Sequence, residues 1–195
     1  MSKKGSITTT SGMDWNTMIG LTNRLKKDGK LREYLLITTG CYFGLRAGDL
    51  LNLKWNDVID KDEFYVIEQK TKKRRKITIN GSVKEALSFV KNFLIKEGTY
   101  ANNNYMFPNR KGQKITIQFI NKILHKTLDR YSVSVQNPST HTLRKSFGRR
   151  VWEMDGKSER ALVYLSEIFS HSSINTTKKY IGITEQNIAD VYLKL

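Results

Sequence analysis

LSEIFSHSSINTTKKYIGI, Leu165–Ile183, is the stretch on which the reading of this chain turns. It gathers a histidine, small hydroxyl and amide residues, two lysines and a tyrosine within a few helical turns. The pattern predicts a short helix ending near His171, then a second helix capped by Ser172 or Ser173 and carrying Tyr180. Lys178 and Lys179 beside Tyr180 create a positive field, which favours phenolate over phenol and attracts phosphate. Taken alone, such a tyrosine reads as the aromatic anchor of an amphipathic helix. Its meaning is decided by residues far from it in the chain.

The whole chain of 195 residues suits one domain of generous size, or one domain with an added arm. A hydrophobic content of 38% is enough for a real core. The charge is unusual: Lys+Arg 34 against Asp+Glu 18 leaves +16, which calls for a polyanionic partner. No long apolar run suggests a membrane span, and the leader Met1–Gly12 is too polar for a signal peptide. The basic residues are spread over many elements and do not share one amphipathic helix, so an acidic membrane surface is the poorer partner. Cys41 is the only cysteine, which excludes an intramolecular disulfide and zinc sites built on several cysteines. A cytoplasmic nucleic-acid-binding protein, associated with the nucleoid in a bacterium, is the class these facts favour.

Outward from Tyr180, residues 1–12 read as a flexible basic arm, rich in Ser, Thr and Gly. Asp14 caps a helix through about Lys27, and Leu31–Phe43 is apolar enough to be a buried helix containing Cys41 as a core residue. Gly44 ends it, and a further helix starts at Ala47. Phe64–Glu68 and Arg75–Ile79 alternate as two strands of a hairpin, joined through Gln69–Lys76, the densest basic run of the chain. Helices follow over about 83–97, 116–128, 141–154 and 159–169. Ile188, Val191, Tyr192 and Leu195 mark an amphipathic C-terminal helix over 184–195, able to close on its own domain or dock on a neighbour. About eight helices and one hairpin, without βαβ alternation, predict a mainly α fold with a small antiparallel β-sheet, in the α+β class. The domain proper is expected over 13–195.

Four scattered pieces then fall into one order. Arg46 follows Gly44-Leu45, with Asp49 on the same helical face; by itself this is a weak surface ion pair. Lys70 sits in the basic hairpin. His141 and Arg144 share one face of a helix, with Lys145 beside them. His171 stands nine positions before Tyr180. This order resembles the catalytic domain of the tyrosine recombinases, or phage integrases: an Arg after Gly-Leu, a hairpin Lys, His-x-x-Arg, a His or Trp, and a nucleophilic Tyr. The resemblance spans about 14–195. It implies a metal-independent and cofactor-free DNA strand transferase with Arg46, Lys70, His141, Arg144, His171 and Tyr180 as catalytic residues.

The chemistry wants these residue types. Attack on a phosphodiester builds charge on the nonbridging oxygens, and two guanidinium forks can meet it where a lysine's point charge cannot. His171 adds a hydrogen bond, and His141 takes the proton from Tyr180 or holds the phosphate. Lys70 protonates the departing deoxyribose oxygen, with Lys72 and Lys73 as alternatives that spacing leaves open. The family link is a 3′-phosphotyrosine. Asp49 is expected to orient Arg46 or His141. Lys72, Lys73, Arg74, Arg75, Lys145, Lys178 and Lys179 are expected to contact the DNA backbone.

The resemblance further implies double-stranded DNA as substrate, a homo-tetramer on DNA at synapsis, a monomer alone in solution, and accessory DNA-bending proteins. Typical members carry a helical core-binding domain ahead of the catalytic one. A short arm in its place suits either an isolated catalytic domain or the short recombinases that invert promoter segments, such as fimbrial switches. Two other readings use the same charge: DNA binding without strand transfer, and type IB topoisomerase-like relaxation.

Overall fold

Nine helices and one two-stranded hairpin make up residues 10–183, the part of the chain that the computed structural model describes. In chain order they are α1 (Trp15–Lys27), α2 (Leu31–Phe43), α3 (Ala47–Leu50), α4 (Trp55–Val58), β1 (Glu63–Ile67), β2 (Arg74–Thr78), α5 (Gly81–Lys96), α6 (Ile117–Arg130), α7 (Thr140–Met154), α8 (Glu159–Phe169) and α9 (Ile174–Ile181). The expected mainly α architecture with a small antiparallel sheet is what forms. The expected C-terminal helix over 184–195 lies outside the described residues.

Local chemistry starts the helices where the sequence predicts. Asp14 accepts from the Thr17 N–H at the head of α1, and Thr116, Ser139, Ser158 and Ser173 cap α6, α7, α8 and α9 in the same manner. Each cap satisfies a helix N–H that would otherwise lack a partner. The strands pair with Phe64 opposite Ile77 and Val66 opposite Arg75, and each strand lies one residue earlier than the bounds the alternation suggests.

Two apolar clusters organise the described residues, and α7 belongs to both. The larger cluster joins α1 to α6 and the hairpin around fully buried Met18, Leu21, Leu35, Phe43, Trp55 and Leu87. Cys41 lies inside it, where burial pushes its thiol up to about 12; it is a core residue, as its apolar neighbours predict. The smaller cluster consists of Leu162, Leu165, Phe169 and Ile181, with Phe147 and Val151 of α7 packed on it. Leu143 of α7 faces the larger cluster. Both apolar clusters therefore fix α7, the helix that carries His141 and Arg144. Phe119 and Met154 are exposed, because α6 turns the Ile120–Leu124–Leu128 stripe to the core and Met154 ends α7 beyond it.

The expected arm overlaps the described residues at Thr10–Gly12, and those three are tied down. Ser11 donates its N–H to the Gln136 carbonyl at 3.0 Å, and the N–H of Met13 donates to Ser146 Oγ at 2.7 Å. Buried Met13 then anchors the segment in the core.

Close approach of α7 to the C-terminal helices depends on Gly148. A Cβ at this position would lie 2.7 Å from Ile181 Cγ2 and 2.9 Å from the Phe169 ring. Overpacking of this kind costs about 1–3 kcal/mol. Gly148→Ala is therefore expected to lower Tm by about 3–10 °C, with α9 pushed away from α7. Thermal melting by circular dichroism checks this; an unchanged Tm would mean that α9 does not seat on α7 as described.

Candidate active site

The site forms where the end of α2, the hairpin turn, the start of α7 and the α8–α9 corner meet. Gly44 closes α2 in the left-handed region, at φ 55°. A glycine takes this conformation without strain, and a side chain there would strike the Phe147 ring 2.5 Å away. The turn exposes the Gly44 carbonyl, and Arg46 follows as the N-cap of α3.

Arg144 is buried, at 3% exposure, on α7. Its Nη1 donates to the Gly44 carbonyl at 2.5 Å and its Nη2 to the Phe169 carbonyl at 3.1 Å, with the guanidinium 4.2 Å over the Phe169 ring. Arg46, half-buried, donates Nη2 to the same Phe169 carbonyl at 2.8 Å and Nη1 to Glu68 Oε2 at 2.5 Å. Two guanidinium groups thus converge on one carbonyl oxygen at the end of α8, each with N–H groups to spare for an anion. Desolvation, reinforced by Arg46 and Arg75, lowers Arg144 to about 10, so it remains cationic at neutral pH.

Tyr180 stands in this same pocket, contributed by the same chain. Its ring packs edge-on against Phe169 and His171, with centroids 5.4 and 5.1 Å apart, and Lys145 Nζ lies 5.2 Å from its centroid. Its hydroxyl is 3.4 Å from His141 Nδ1; with the imidazole proton on Nε2, the hydroxyl donates to Nδ1. Burial raises the Tyr180 hydroxyl above its usual range, while Arg144 and Arg46 pull it back in part. The expectation that Lys178 and Lys179 favour phenolate is corrected on both counts. The resting group is a phenol, and the cations that act on it are the two arginines. His141 is lowered by desolvation, then by Lys145 and Arg144, so at neutral pH it is an uncharged acceptor. His171 is lowered in the same way, by desolvation and then by Arg144, Arg46 and Lys70. His171 Nδ1 and Thr177 Oγ1 lie 3.0 Å apart, which sets the ring's orientation.

Lys70 is exposed in the hairpin turn, and its charge reaches His171. Lys72 and Lys73 are exposed on the following residues, with Lys72 in the left-handed region at φ 58°. Three expectations need correction. The Asp49 carboxylate bonds neither the Arg46 guanidinium nor His141: its Oδ1 accepts the Gln69 N–H at 2.9 Å, so it holds the base of the hairpin turn. Arg75 is turned inward, donating to the Phe43 and Gly44 carbonyls at 2.8 and 3.4 Å, and is a strut under the site. Lys145 is engaged too, donating to the Thr10 carbonyl at 2.6 Å over the Tyr180 ring. By contrast Arg74, stacked on Tyr65, and Lys179 remain exposed, with Lys178 half-buried.

The carboxylate that holds Arg46 is Glu68, which sequence reasoning did not single out. It is 1% exposed and also accepts from Thr71 Oγ1 at 2.7 Å and Ser170 Oγ at 3.4 Å. A signal for it was present. Strand alternation puts 64, 66 and 68 on one face, and the same parity turns Arg75 and Ile77 inward from the partner strand.

Two arginines meet on one carbonyl oxygen, with a tyrosine hydroxyl and a histidine beside them. Residues 13–187 match the Phage integrase family, and the chain belongs to that family of tyrosine recombinases. It is 33% identical over 163 residues to the probable integrase/recombinase YoeC of Bacillus subtilis (strain 168), covering 83% of each chain. Over 154 residues it is 24% identical to the tyrosine recombinase XerH of Campylobacter jejuni, covering 79% of this chain and 42% of that one. Among solved structures, XerH bound to palindromic difH substrate in a post-cleavage complex superposes with TM-score 0.71 at 20% identity, over 98% of this chain and 55% of that one. The Tn1549 transposon integrase with transposon right-end DNA gives 0.70 at 16% identity, over 100% and 67%. The chain thus spans most of YoeC but about half of the XerH proteins it resembles.

Proposed function

We propose that this chain is a site-specific DNA recombinase that cleaves and rejoins duplex DNA through a 3′-phosphotyrosyl intermediate. The observation that carries this reading is the Tyr180 hydroxyl beside His141 Nδ1, in a pocket where Arg46 and Arg144 converge. The scissile phosphate enters where the spare N–H groups of the two arginines point, and His171 adds a donor. The Tyr180 oxygen forms the bond to phosphorus as its proton passes to His141. The bond from phosphorus to the 5′ oxygen breaks, and that oxygen takes a proton from the Lys70 ammonium. The reverse sequence, with a 5′-hydroxyl from a partner strand, rejoins the DNA. Arginine charge stabilises the transition state, since it meets the developing oxyanions without reorganisation.

Double-stranded DNA is the substrate, gripped by Lys72, Lys73, Arg74, Lys178 and Lys179, with Lys145 joining once released from Thr10. The protein works as a monomer that assembles into a tetramer on DNA, with accessory bending proteins at some sites and residues 184–195 docking on a neighbouring protomer. Among the described residues, no helix is long and apolar enough to cross a membrane.

The test is a pool of nicked duplexes with randomised sequence, from which covalent adducts are recovered and sequenced. A released strand bearing a 5′-hydroxyl is expected. A released 3′-hydroxyl, with the protein on a 5′-phosphate, would reverse the polarity, and salt-sensitive binding with no adduct would leave only a DNA-gripping role.

A pH dependence follows from His141. It accepts the proton only when neutral, and its pKa lies below the usual 6.5. Cleavage should therefore rise with pH through a midpoint below 6.5 and level off above it. Lys145→Met removes a like charge, which raises the His141 pKa and moves the midpoint to higher pH. Single-turnover rates at pH 5–8 check this; a midpoint that Lys145→Met leaves in place would remove His141 as the proton acceptor.

A further inference from the structure

Among the described residues, Glu68 is the one acidic side chain bonded to Arg46, the hairpin turn and the α8–α9 corner at once. Its backbone also closes the turn: the Glu68 carbonyl accepts the Lys72 N–H at 2.8 Å, and its N–H donates to the Lys73 carbonyl at 3.0 Å. Thr71, the residue after Lys70, donates to its side chain. On the other side of Lys70, the Gln69 N–H is held by Asp49. Lys70 therefore sits between two backbone positions that carboxylates pin to the body of the domain.

We propose that Glu68 is a positioning residue for the leaving-group proton, locking the hairpin turn so that Lys70 is held at a fixed place relative to the Arg46 phosphate site. The proposal rests on the recombinase reading and on Lys70 as the general acid. Burial alone would make the carboxyl harder to ionise, but Thr71, Arg46 and Arg144 together hold it below the usual carboxylate range. It is thus an anion throughout the working pH range and a permanent counter-charge to the arginines around it. An exposed turn carrying several lysines would otherwise sample many positions at the cost of the one that reaches the 5′ oxygen. A buried, charge-assisted contact is a stronger tether than a surface pair.

The experiment separates this role from simple support of Arg46. Cleavage is compared on two versions of a duplex recovered from the randomised pool: ordinary DNA, and DNA with sulfur replacing the 5′ bridging oxygen. A thiolate leaves without needing a proton, so the sulfur substrate bypasses the acid. On ordinary DNA, Glu68→Gln should cleave about 10²-fold more slowly, with binding retained. On the sulfur substrate it should approach the wild-type rate, as Lys70→Ala should. Arg46→Ala, which acts on the nonbridging oxygens, should be slow on both.

Thr71→Val removes the tether, and with it a long Lys73 N–H contact at 3.4 Å, and leaves the Arg46–Glu68 pair intact. It is expected to show a smaller loss with the same sulfur rescue, and it serves if Glu68→Gln folds poorly. If Lys70→Ala is rescued while Glu68→Gln and Thr71→Val are not, the positioning role is overturned and the recombinase reading stands. If Lys70→Ala itself is not rescued, both the acid assignment and the inference fall. Unimpaired cleavage of ordinary DNA by Thr71→Val and Glu68→Gln would also overturn it.

Discussion

Arg144→Ala is expected to slow strand cleavage by about 10³-fold, the scale of losing a main donor to a developing oxyanion. Arg144 is the most deeply buried cation of the site, and it does two jobs there. Its guanidinium joins the Gly44 turn to the Phe169 carbonyl, so it ties the end of α2 to the end of α8. It also presents charge beside Tyr180. Arg144→Lys should restore little, because a point charge cannot span two carbonyls and a phosphate together. The Phe169 carbonyl keeps Arg46 and the Gly44 carbonyl keeps a long contact from Arg75, but each buried charge-assisted hydrogen bond lost still costs about 1.5–3 kcal/mol. Rates must therefore be taken well below the variant's own Tm. Single-turnover cleavage alongside a melting curve separates the two effects. A rate within tenfold of wild type for a folded Arg144→Ala would remove this residue from the chemistry.

Pattern in the sequence carried much of this. The caps at Asp14, Thr116 and Ser173 and the apolar stripes are local features, so helix positions were legible from short windows. The order of Arg46, His141, Arg144, His171 and Tyr180 was legible through resemblance. The structure brings Arg46, His141, Arg144, His171 and Tyr180 into one pocket.

Partner choice was less legible, because it depends on which side chains share a tertiary cleft. Arg46 pairs with Glu68 in place of nearby Asp49, since the hairpin folds back over the head of α3 and brings its buried face there. Arg75 looked like part of a basic surface run, yet its strand parity turns it under the site. The ionisation of Tyr180 is illegible in the sequence for a similar reason. Sequence shows neighbouring lysines, but the packing of Phe169, His171 and His141 around the ring is a three-dimensional fact, and it outweighs them.

This packing places Tyr180 in a pocket of its own chain, beside Arg46 and Arg144. Lys145, held by Thr10 above the Tyr180 ring, extends the arrangement to the segment that leads into α1. Movement of that segment would alter the surroundings of Tyr180 directly.

Covalent capture on nicked duplex is the most direct test of the central claim, that Tyr180 is the nucleophile. Without its hydroxyl, Tyr180→Phe keeps the ring that packs on Phe169 and His171 but has no atom to bond to phosphorus. The wild-type chain is expected to form an adduct that survives denaturing electrophoresis, and Tyr180→Phe is expected to bind the same DNA and form none. A denaturant-stable adduct formed by Tyr180→Phe would contradict the account.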